Sequence, residues 1–352
     1  MRFLALALSI LTTAAVFPQQ TTSAVRGTWT ARLGDTWTGP DGERRISLQL
    51  QRDSRDRTGT SVPLSQLEGL AAPDERWTSE NVRFSLSRDA GTFRFQGSFV
   101  DGRGAGTFEF SANADFVNAM QAKYRQLSER DVFRLALHDV SREFAASIER
   151  EGYASLELDD LMRMRIHGID AAYIRELRQA GYDKVPVADL VRTRIHGATP
   201  QYVRAMSDAG YRGLSIAELV RTRIHGATPA FVQSVKAAGY EQLDVEALVR
   251  MRIHGVTPAF IKELRSLGYT NLSIEDLVKL RIHGVTPQYI REMKELGYGS
   301  LSREQLVRFR IHGVDGDFIR EVRDAGLKDM SADDLVDFSI SGRRWLKKRG
   351  RG

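Results

Sequence analysis

One phrase recurs along most of this chain at a fixed interval of 29 residues. In the stretch "RIHGVTPAFIKELRSLGYTNLSIEDLVKLRIHGVTPQYIREMKELGY", from Arg252 to Tyr298, the phrase RIHGVTP occurs twice. All seven histidines keep this period: His138, His167, His196, His225, His254, His283 and His312. A fixed period of this length is typical of repeat proteins, in which each repeat is one small structural unit. Counting outward predicts about eight units between residues 113 and 342, with the first and last degenerate.

Each unit contains the start and stop signals of two helices. Thr257 is a predicted N-cap, Pro258 suits the first helical position, and Gly268 suits the left-handed position that ends a helix. Ser273 is the N-cap of a second helix, which Gly284 ends. The sequence therefore predicts two short helices per unit, with short connections.

The apolar faces of these helices need partners, because helices of about three turns are marginal alone. The predicted core residues of one unit are Phe260, Ile261, Leu264 and Leu267 in the first helix and Ile274, Leu277, Val278 and Ile282 in the second. One hairpin cannot cover both faces, so the units must stack, each mainly against its neighbours. This indicates an α-solenoid over residues 113–342.

The segment before the repeats, residues 25–112, alternates between apolar and polar residues with period two, as half-buried antiparallel strands do. Asp101–Gly104, "DGRG", predicts a tight turn between the last two of five or six strands. The predicted fold class is thus α+β and multidomain, with a small antiparallel β sandwich or barrel followed by a solenoid of about eight helical hairpins.

The opening "GTW" of this β domain, Gly27–Trp29, resembles the start of lipocalin-like barrels, which hold small apolar ligands. The resemblance covers three residues. The competing interpretation is that Trp29 and the inward phenylalanines are ordinary core, because a domain of about 85 residues has barely enough interior to fill itself.

The two ends of the chain lie outside these domains. Residues 1–24 are predicted to be a signal peptide, with a positive start at Arg2, an apolar run and small residues that suit cleavage after Ala15 or Ala24. The tail, residues 343–352, has six cations and no acid, equal to the formal net charge of +6, so the remaining residues sum to zero. The tail is either a contact for an anionic membrane surface or a disordered, solubilising end.

A recurring arginine falls on the apolar side of the second helix. A helical wheel centred on Ile274 places Arg281 near the middle of the buried stripe. We therefore expect a buried guanidinium, bonded to carboxylates or helix-end carbonyls, and a histidine ring bonded to a backbone group at the helix end. These residues form a predicted structural ladder between units: Arg165, Arg194, Arg223, Arg252, Arg281 and Arg310, with His167, His196, His225, His254, His283 and His312.

The terminal units bear on the direction of this ladder. In the last unit Ser339 and Ser341 stand at the arginine and histidine positions, which suits residues that reach into a following unit. The first unit keeps His138 but has Ala136 at the arginine position. The histidines are otherwise poor candidates for metal ligands, because zinc needs about four ligands and each unit offers one histidine.

The first helices carry two columns of cations at the 29-residue period. One column contains Arg175, Arg204, Lys262, Arg291 and Arg320, and the other contains Arg178, Lys236, Arg265, Lys294 and Arg323. An acidic column runs alongside them. Either the face is solvated and internally salt-bridged, or it binds an anionic partner such as an acidic glycan, lipid headgroups or an acidic protein. The neutral body and the predicted export disfavour nucleic acid.

Motifs for catalysis are not found in the sequence. There is no cysteine, and none of the HExxH, GxSxG or phosphate-loop patterns occurs. We therefore expect a protein that is not an enzyme and that uses no cofactor and no metal.

The repeat pattern "RIHGVTPxxIxExxxLGYxxLSxxxLVxxR" is similar to helical repeats in exported bacterial proteins of unknown function. Similar repeats follow the peptidase domain in some membrane metallopeptidases of the β-lactam-sensor type. The similarity covers about two thirds of the chain. The zinc motif and membrane helices of those peptidases are absent from this sequence, so the resemblance implies an envelope-associated interaction module and no proteolysis.

Together these observations predict an exported, periplasmic or secreted scaffold that binds a protein or an acidic envelope polymer through its solenoid surface. The alternative is a β domain that binds or senses a small ligand, a lipid or a glycan, with the solenoid as spacer or transmitter.

Overall fold

A computed structural model of the protein describes residues 24–38, 42–53, 56–71, 74, 76–124 and 126–342. The predicted signal peptide, apart from its last residue, and the basic tail lie outside the described residues. The chain divides into two compact units, one ending at Ile166 and the other beginning at His167. The α+β fold class with a helical repeat array is confirmed.

The first unit begins with a six-stranded antiparallel sheet. Its strands are β1 (Val25–Thr38), β2 (Arg44–Gln51), β3 (Arg57–Pro63), β4 (Ser79–Arg88), β5 (Gly91–Val100) and β6 (Arg103–Ala112). A short 3-10 helix, Leu64–Gln66, follows β3. The strands lie side by side in the order β3-β2-β1-β6-β5-β4. Asp101 and Gly102 adopt positive φ values of 49° and 71° between β5 and β6, which confirms the predicted tight turn.

The sheet is strongly curled. β6 and β5 lie between β1 and β4, so a flat sheet would keep the β1 and β4 backbones roughly 14 Å apart. Yet the rings of Trp29 on β1 and Phe84 on β4 are 5.3 Å apart. A single bridge between Glu68 and Ser85 also connects the segment after β3 to β4. The structure is therefore one rolled sheet.

Sixteen helices follow within the described residues. They are α1 (Ala114–Lys123), α2 (Glu129–Leu137), α3 (Arg142–Arg150), α4 (Leu158–Ile166), α5 (Ala171–Gln179), α6 (Val187–Ile195), α7 (Pro200–Asp208), α8 (Ile216–Ile224), α9 (Pro229–Ala237), α10 (Val245–Ile253), α11 (Pro258–Ser266), α12 (Ile274–Ile282), α13 (Pro287–Glu295), α14 (Arg303–Ile311), α15 (Gly316–Asp324) and α16 (Ala332–Ser341). Paired in order, they form eight hairpins. The helices α1 to α4 belong to the same compact unit as the sheet.

The core of the first unit is aromatic. Trp29 is 1% exposed, and its indole N–H donates to the carbonyls of Gln96 and Thr107 at 3.2 and 3.1 Å. Phe133 of α2 lies 5.2 and 5.4 Å from the rings of Phe93 and Phe110. The side chains of the sheet and of α2 therefore fill this interior, which fits the interpretation of Trp29 and the phenylalanines as core.

The predicted N-cap residues and helix-ending glycines are confirmed. The Thr257 hydroxyl caps α11 by accepting the Phe260 N–H, and Pro258 is the first residue of that helix. Ser273 begins α12 with a capping box. Gly268 and Gly284 have φ values of 98° and 68°, the left-handed region that glycine adopts without a steric penalty.

In the second unit, equivalent helices of neighbouring hairpins pack on one another. The second helices pack in the pairs α6 with α8, α8 with α10, α10 with α12, α12 with α14 and α14 with α16. The first helices pack in the pairs α5 with α7, α7 with α9 and α11 with α13. This is the predicted stacking of hairpins, each against its neighbours.

Candidate functional site

Each predicted ladder arginine lies over an aromatic ring on the first helix of its own hairpin, 21 residues earlier. The distances from the guanidinium carbon to the ring centre are between 4.6 and 5.3 Å for Arg165 over Phe144, Arg194 over Tyr173, Arg223 over Tyr202, Arg252 over Phe231, Arg281 over Phe260 and Arg310 over Tyr289. We call these six residues the arginine row. A cation over a ring face is attracted by the ring quadrupole.

The same guanidinium groups donate to backbone carbonyls at the end of the preceding second helix. Arg194 donates through Nε and Nη2 to the Gly168 carbonyl at 3.1 and 2.7 Å. Three further Nε atoms lie 3.4 Å from histidine carbonyls, in the pairs Arg252 to His225, Arg281 to His254 and Arg310 to His283. Carbonyls at a helix C-terminus have no partner within the helix and carry partial negative charge, so they suit a cation.

The expectation of a buried guanidinium is wrong. Arg194, Arg223, Arg252 and Arg310 are exposed, and Arg281 is half-buried. Each guanidinium group therefore stacks on a ring and donates to a carbonyl while it remains in contact with water.

The expected direction is also wrong. The arginines donate to carbonyls of the preceding hairpin, so the absence of a following hairpin does not explain the serine at position 339. That serine is buried, and its hydroxyl donates to the Val336 carbonyl at 2.7 Å.

The recurring histidines contribute backbone rather than rings to the contact between hairpins. His196, His225, His254 and His283 are C-cap residues, and the carbonyls of the last three accept from the arginine row. Within the part of the chain that the structure describes, the imidazoles of these four and of His167 make no hydrogen bond. His312 is likewise a C-cap residue.

The first cationic column is largely paired with the acidic column of the preceding hairpin. Arg204 lies 3.7 Å from Glu176, Arg291 lies 2.8 Å from Glu263, and Arg320 lies 3.1 Å from Glu292. Lys262 of this column is exposed, and Arg175 occupies the equivalent position on α5. The observed ion pairs favour the internally salt-bridged interpretation of this face.

The second cationic column forms another set of contacts between hairpins. Lys236 lies 5.8 Å from the ring of Tyr211 and donates to the Ala209 carbonyl at 2.6 Å. Arg265 and Arg323 lie over the rings of Tyr240 and Tyr298, and Arg323 also donates to the Leu296 carbonyl. Two members differ: Arg178 pairs with Asp183 at 2.9 Å, and Lys294 is exposed. The first helices, like the second helices, thus place a cation over an aromatic ring. We did not predict this role for the second cationic column.

Tyrosines at the 29-residue period provide a third contact, which the sequence analysis also missed. Each hydroxyl donates to a loop carbonyl 32 residues later, at distances of 2.5 to 2.9 Å, in the pairs Tyr182 to Leu214, Tyr211 to Leu243, Tyr240 to Leu272, Tyr269 to Leu301 and Tyr298 to Met330. The tyrosine period was the available signal, but the partner is a backbone group that no side-chain pattern reveals.

Each second helix of the second unit exposes an isoleucine at or next to its last residue. We call these residues the isoleucine row, with exposed fractions of 53 to 64%: Ile195, Ile224, Ile253, Ile282, Ile311 and Ile340. The assignment of Ile282 to the buried face is therefore wrong. The buried residue of that last turn is Leu280, which is 1% exposed. Each isoleucine except Ile340 directly follows a member of the arginine row.

The first unit has a cleft of about 610 Å³ between the sheet and its first helices. The charged and polar side chains that line it are Arg45, Thr60, Ser61, Gln66, Arg88, His138, Asp139 and Arg165. We call it the arginine cleft. Burial, with a smaller contribution from Arg134, lowers the pKa of His138, so its imidazole is neutral near pH 7.

Comparisons with protein-family models, with curated proteins and with solved structures find no match to this chain. Among the described residues, no group of three or more His, Asp or Glu side chains could hold a metal ion. None of the helices formed by these residues is both long and apolar enough to cross a membrane.

Proposed function

We propose that the protein is an exported, non-enzymatic scaffold that binds another macromolecule through the isoleucine row and the arginines beside it. The observation that carries this proposal is the exposure of an isoleucine at the same position of six consecutive hairpins. Scattered exposed apolar residues are ordinary, whereas a contiguous apolar patch on a folded surface indicates an interaction site. Export rests on the sequence of residues 1–24.

The chemistry of this surface favours a protein segment as the partner. Exposed isoleucines favour a partner with apolar side chains, and an acidic glycan has little apolar surface. The arginine row supplies positive charge beside the isoleucines, and its ring and carbonyl contacts hold the guanidinium groups in place without neutralising them. A segment with alternating apolar and acidic side chains matches both features.

The spacing of the hairpins sets the length of such a segment. Packed helices lie about 8–10 Å apart, so the five intervals between six isoleucines span roughly 45 Å. An extended chain rises about 3.3 Å per residue, which gives a segment of about 14 residues. A partner of this kind gains affinity from several weak contacts along one line.

A photo-crosslinking experiment tests the proposal on the full chain. A crosslinking amino acid replaces Ile253 in one variant and the exposed Glu241, in the loop before α10, in a matched control. After exposure to an envelope extract of the source organism, we expect a protein adduct at position 253 and little or none at position 241. Substitution of Ile224 and Ile282 by serine should then reduce the adduct, whereas Lys262→Ser should not.

Three outcomes would contradict the proposal. These are no adduct at position 253, equal adducts at both positions, and an adduct that consists of lipid or polysaccharide instead of protein.

The alternative function, binding of a lipid or glycan by the β domain, finds limited room in the structure. Aromatic side chains fill the interior of the rolled sheet, so a ligand of the first unit would have to bind outside that core. The arginine cleft is such a place.

A further inference from the structure

Two residues that line the arginine cleft each have a buried polar atom without a hydrogen-bond partner among the described residues. These atoms are Nε of Arg88 and the hydroxyl oxygen of Ser61. The Arg88 side chain is only 12% exposed, and its Nε lies 3.6 Å from Oδ1 of Asp139, beyond ordinary hydrogen-bond distance. Its Nη2 donates to Oε1 of Gln66 at 2.6 Å. Buried polar groups are nearly always paired, so two unpaired groups in one cleft point to a ligand.

Two guanidinium groups of the cleft share one carboxylate. Arg88, Arg165 and Asp139 all line the cleft. Asp139 pairs with Arg165 and lies 3.6 Å from Arg88. Burial lowers the pKa of Arg88, and Arg165 lowers it further, while Asp139 offsets these effects only in part. An additional negative charge would therefore be stabilised here.

The cleft also has an apolar wall and suits a small organic molecule. Ile166 lines it and is 50% exposed, so it offers apolar surface to a ligand. Its volume of about 610 Å³ lies within the range of about 300–1,000 Å³ that is common for small-molecule sites.

We propose that the arginine cleft binds the carboxylate or phosphate group of a small soluble molecule that also has a short apolar part. The anionic group accepts hydrogen bonds from the Arg88 guanidinium and the Ser61 hydroxyl, and the apolar part lies against Ile166. Charge-assisted bonds from guanidinium to an oxyanion are the strongest hydrogen bonds that this cleft can offer. This site is independent of the isoleucine row and goes beyond the proposed scaffold function.

Isothermal titration calorimetry of the full chain tests the site with three probes: inorganic phosphate, hexyl phosphate and hexanol. We expect hexyl phosphate to bind at least about tenfold more tightly than inorganic phosphate, because only hexyl phosphate buries apolar surface. Hexanol should not bind measurably. No binding of hexyl phosphate, or equal affinity for hexyl phosphate and inorganic phosphate, would overturn the proposal.

Two variants separate the cleft from general attraction of anions. Arg88→Met should weaken binding of hexyl phosphate by at least about tenfold. The control Arg83→Met removes the same charge from the same strand at an exposed position outside the cleft, and should change the affinity by less than about twofold. Equal losses in both variants would overturn a specific site.

Further measurements distinguish loss of the binding site from unfolding of a variant, and a soluble ligand from a lipid. Ser61→Ala removes one donor with little structural risk and should weaken binding several-fold, and the NMR signal of the His138 ring should shift on titration with hexyl phosphate. An unchanged affinity in Ser61→Ala together with an unmoved His138 signal would count against the site. Sedimentation with phosphatidate vesicles that depends on Arg88 would assign the anion to a lipid and overturn a soluble ligand.

Discussion

Replacing Arg252 by alanine measures what one member of the arginine row contributes to stability. The side chain is exposed, lies 5.0 Å from the Phe231 ring centre, and donates through Nε to the His225 carbonyl at a long 3.4 Å. An exposed cation–ring contact contributes about 0.5–1 kcal/mol, and a long hydrogen bond in contact with water adds about 0.5 kcal/mol. We expect Arg252→Ala to lower the free energy of unfolding by about 1–1.5 kcal/mol.

This value is clearly lower than the cost of leaving a buried charge without its partner, which is about 3–5 kcal/mol. The neighbouring residue gives an internal standard. Met251 is 0% exposed, and Met251→Ala should cost about 2–5 kcal/mol through lost burial and a cavity. Arg252→Lys keeps the charge but loses the planar stack and the Nε donor, so its cost should lie between zero and that of alanine.

The assay is urea unfolding of the full chain, monitored by circular dichroism of the helices, for the native protein and the three variants. Two results would refute the reasoning. If Arg252→Ala costs as much as Met251→Ala, the guanidinium is part of the core and the observed exposure is misleading. If Arg252→Ala and Arg252→Lys have no effect, neither the ring contact within the hairpin nor the carbonyl contact with the preceding hairpin contributes to stability.

Two further predictions concern other contacts. Tyr240→Phe removes the 2.7 Å hydrogen bond to the Leu272 carbonyl and should lower the free energy of unfolding by about 1 kcal/mol in the same urea assay; an unchanged midpoint would mean that water replaces the hydroxyl without cost. Asp89 accepts hydrogen bonds from Arg142, which hold the pKa of the Asp89 carboxyl below its ordinary value. Its contribution to stability is therefore present above the unfolded pKa and is lost as the pH falls through the lower folded pKa. Melting temperatures should show Asp89→Asn less stable than the native protein at pH 7, with a difference that shrinks as the pH falls through the folded pKa of Asp89, and a constant difference down to acid pH would contradict the assignment.

The parts of the fold that could be predicted from the sequence depend on local chemistry. A cap such as Ser273 bonds a backbone N–H three residues away, and a closing glycine such as Gly284 needs only its own φ. Neither depends on where the rest of the chain lies. The alternation of β1 to β6 is local in the same sense, because side chains leave opposite faces of any strand.

The candidate surfaces could not be predicted in the same way. On a helical wheel, Arg281 and Ile282 fall within or beside the apolar stripe. A wheel does not show which part of the helix surface a neighbouring hairpin buries. Within the last turn of α12, the side that carries Leu280 is covered and the side that carries Ile282 is not, so their exposed fractions are 1% and 57%. Burial at a helix end depends on the neighbouring helix, and this is a tertiary property.

The sequence by itself determined the 29-residue unit, its two helices and its stacking, because caps, glycines and apolar periodicity act over a few residues. Only the tertiary structure decided that the arginines lie over rings of their own hairpin and donate to carbonyls of the preceding one, that tyrosine hydroxyls bond the loop of the next hairpin, and that Arg88 shares one carboxylate with Arg165. Those partners are 20 or more residues apart in the chain, and a guanidinium or hydroxyl group can satisfy its hydrogen bonds in several ways. The packing of the backbone selects one of them.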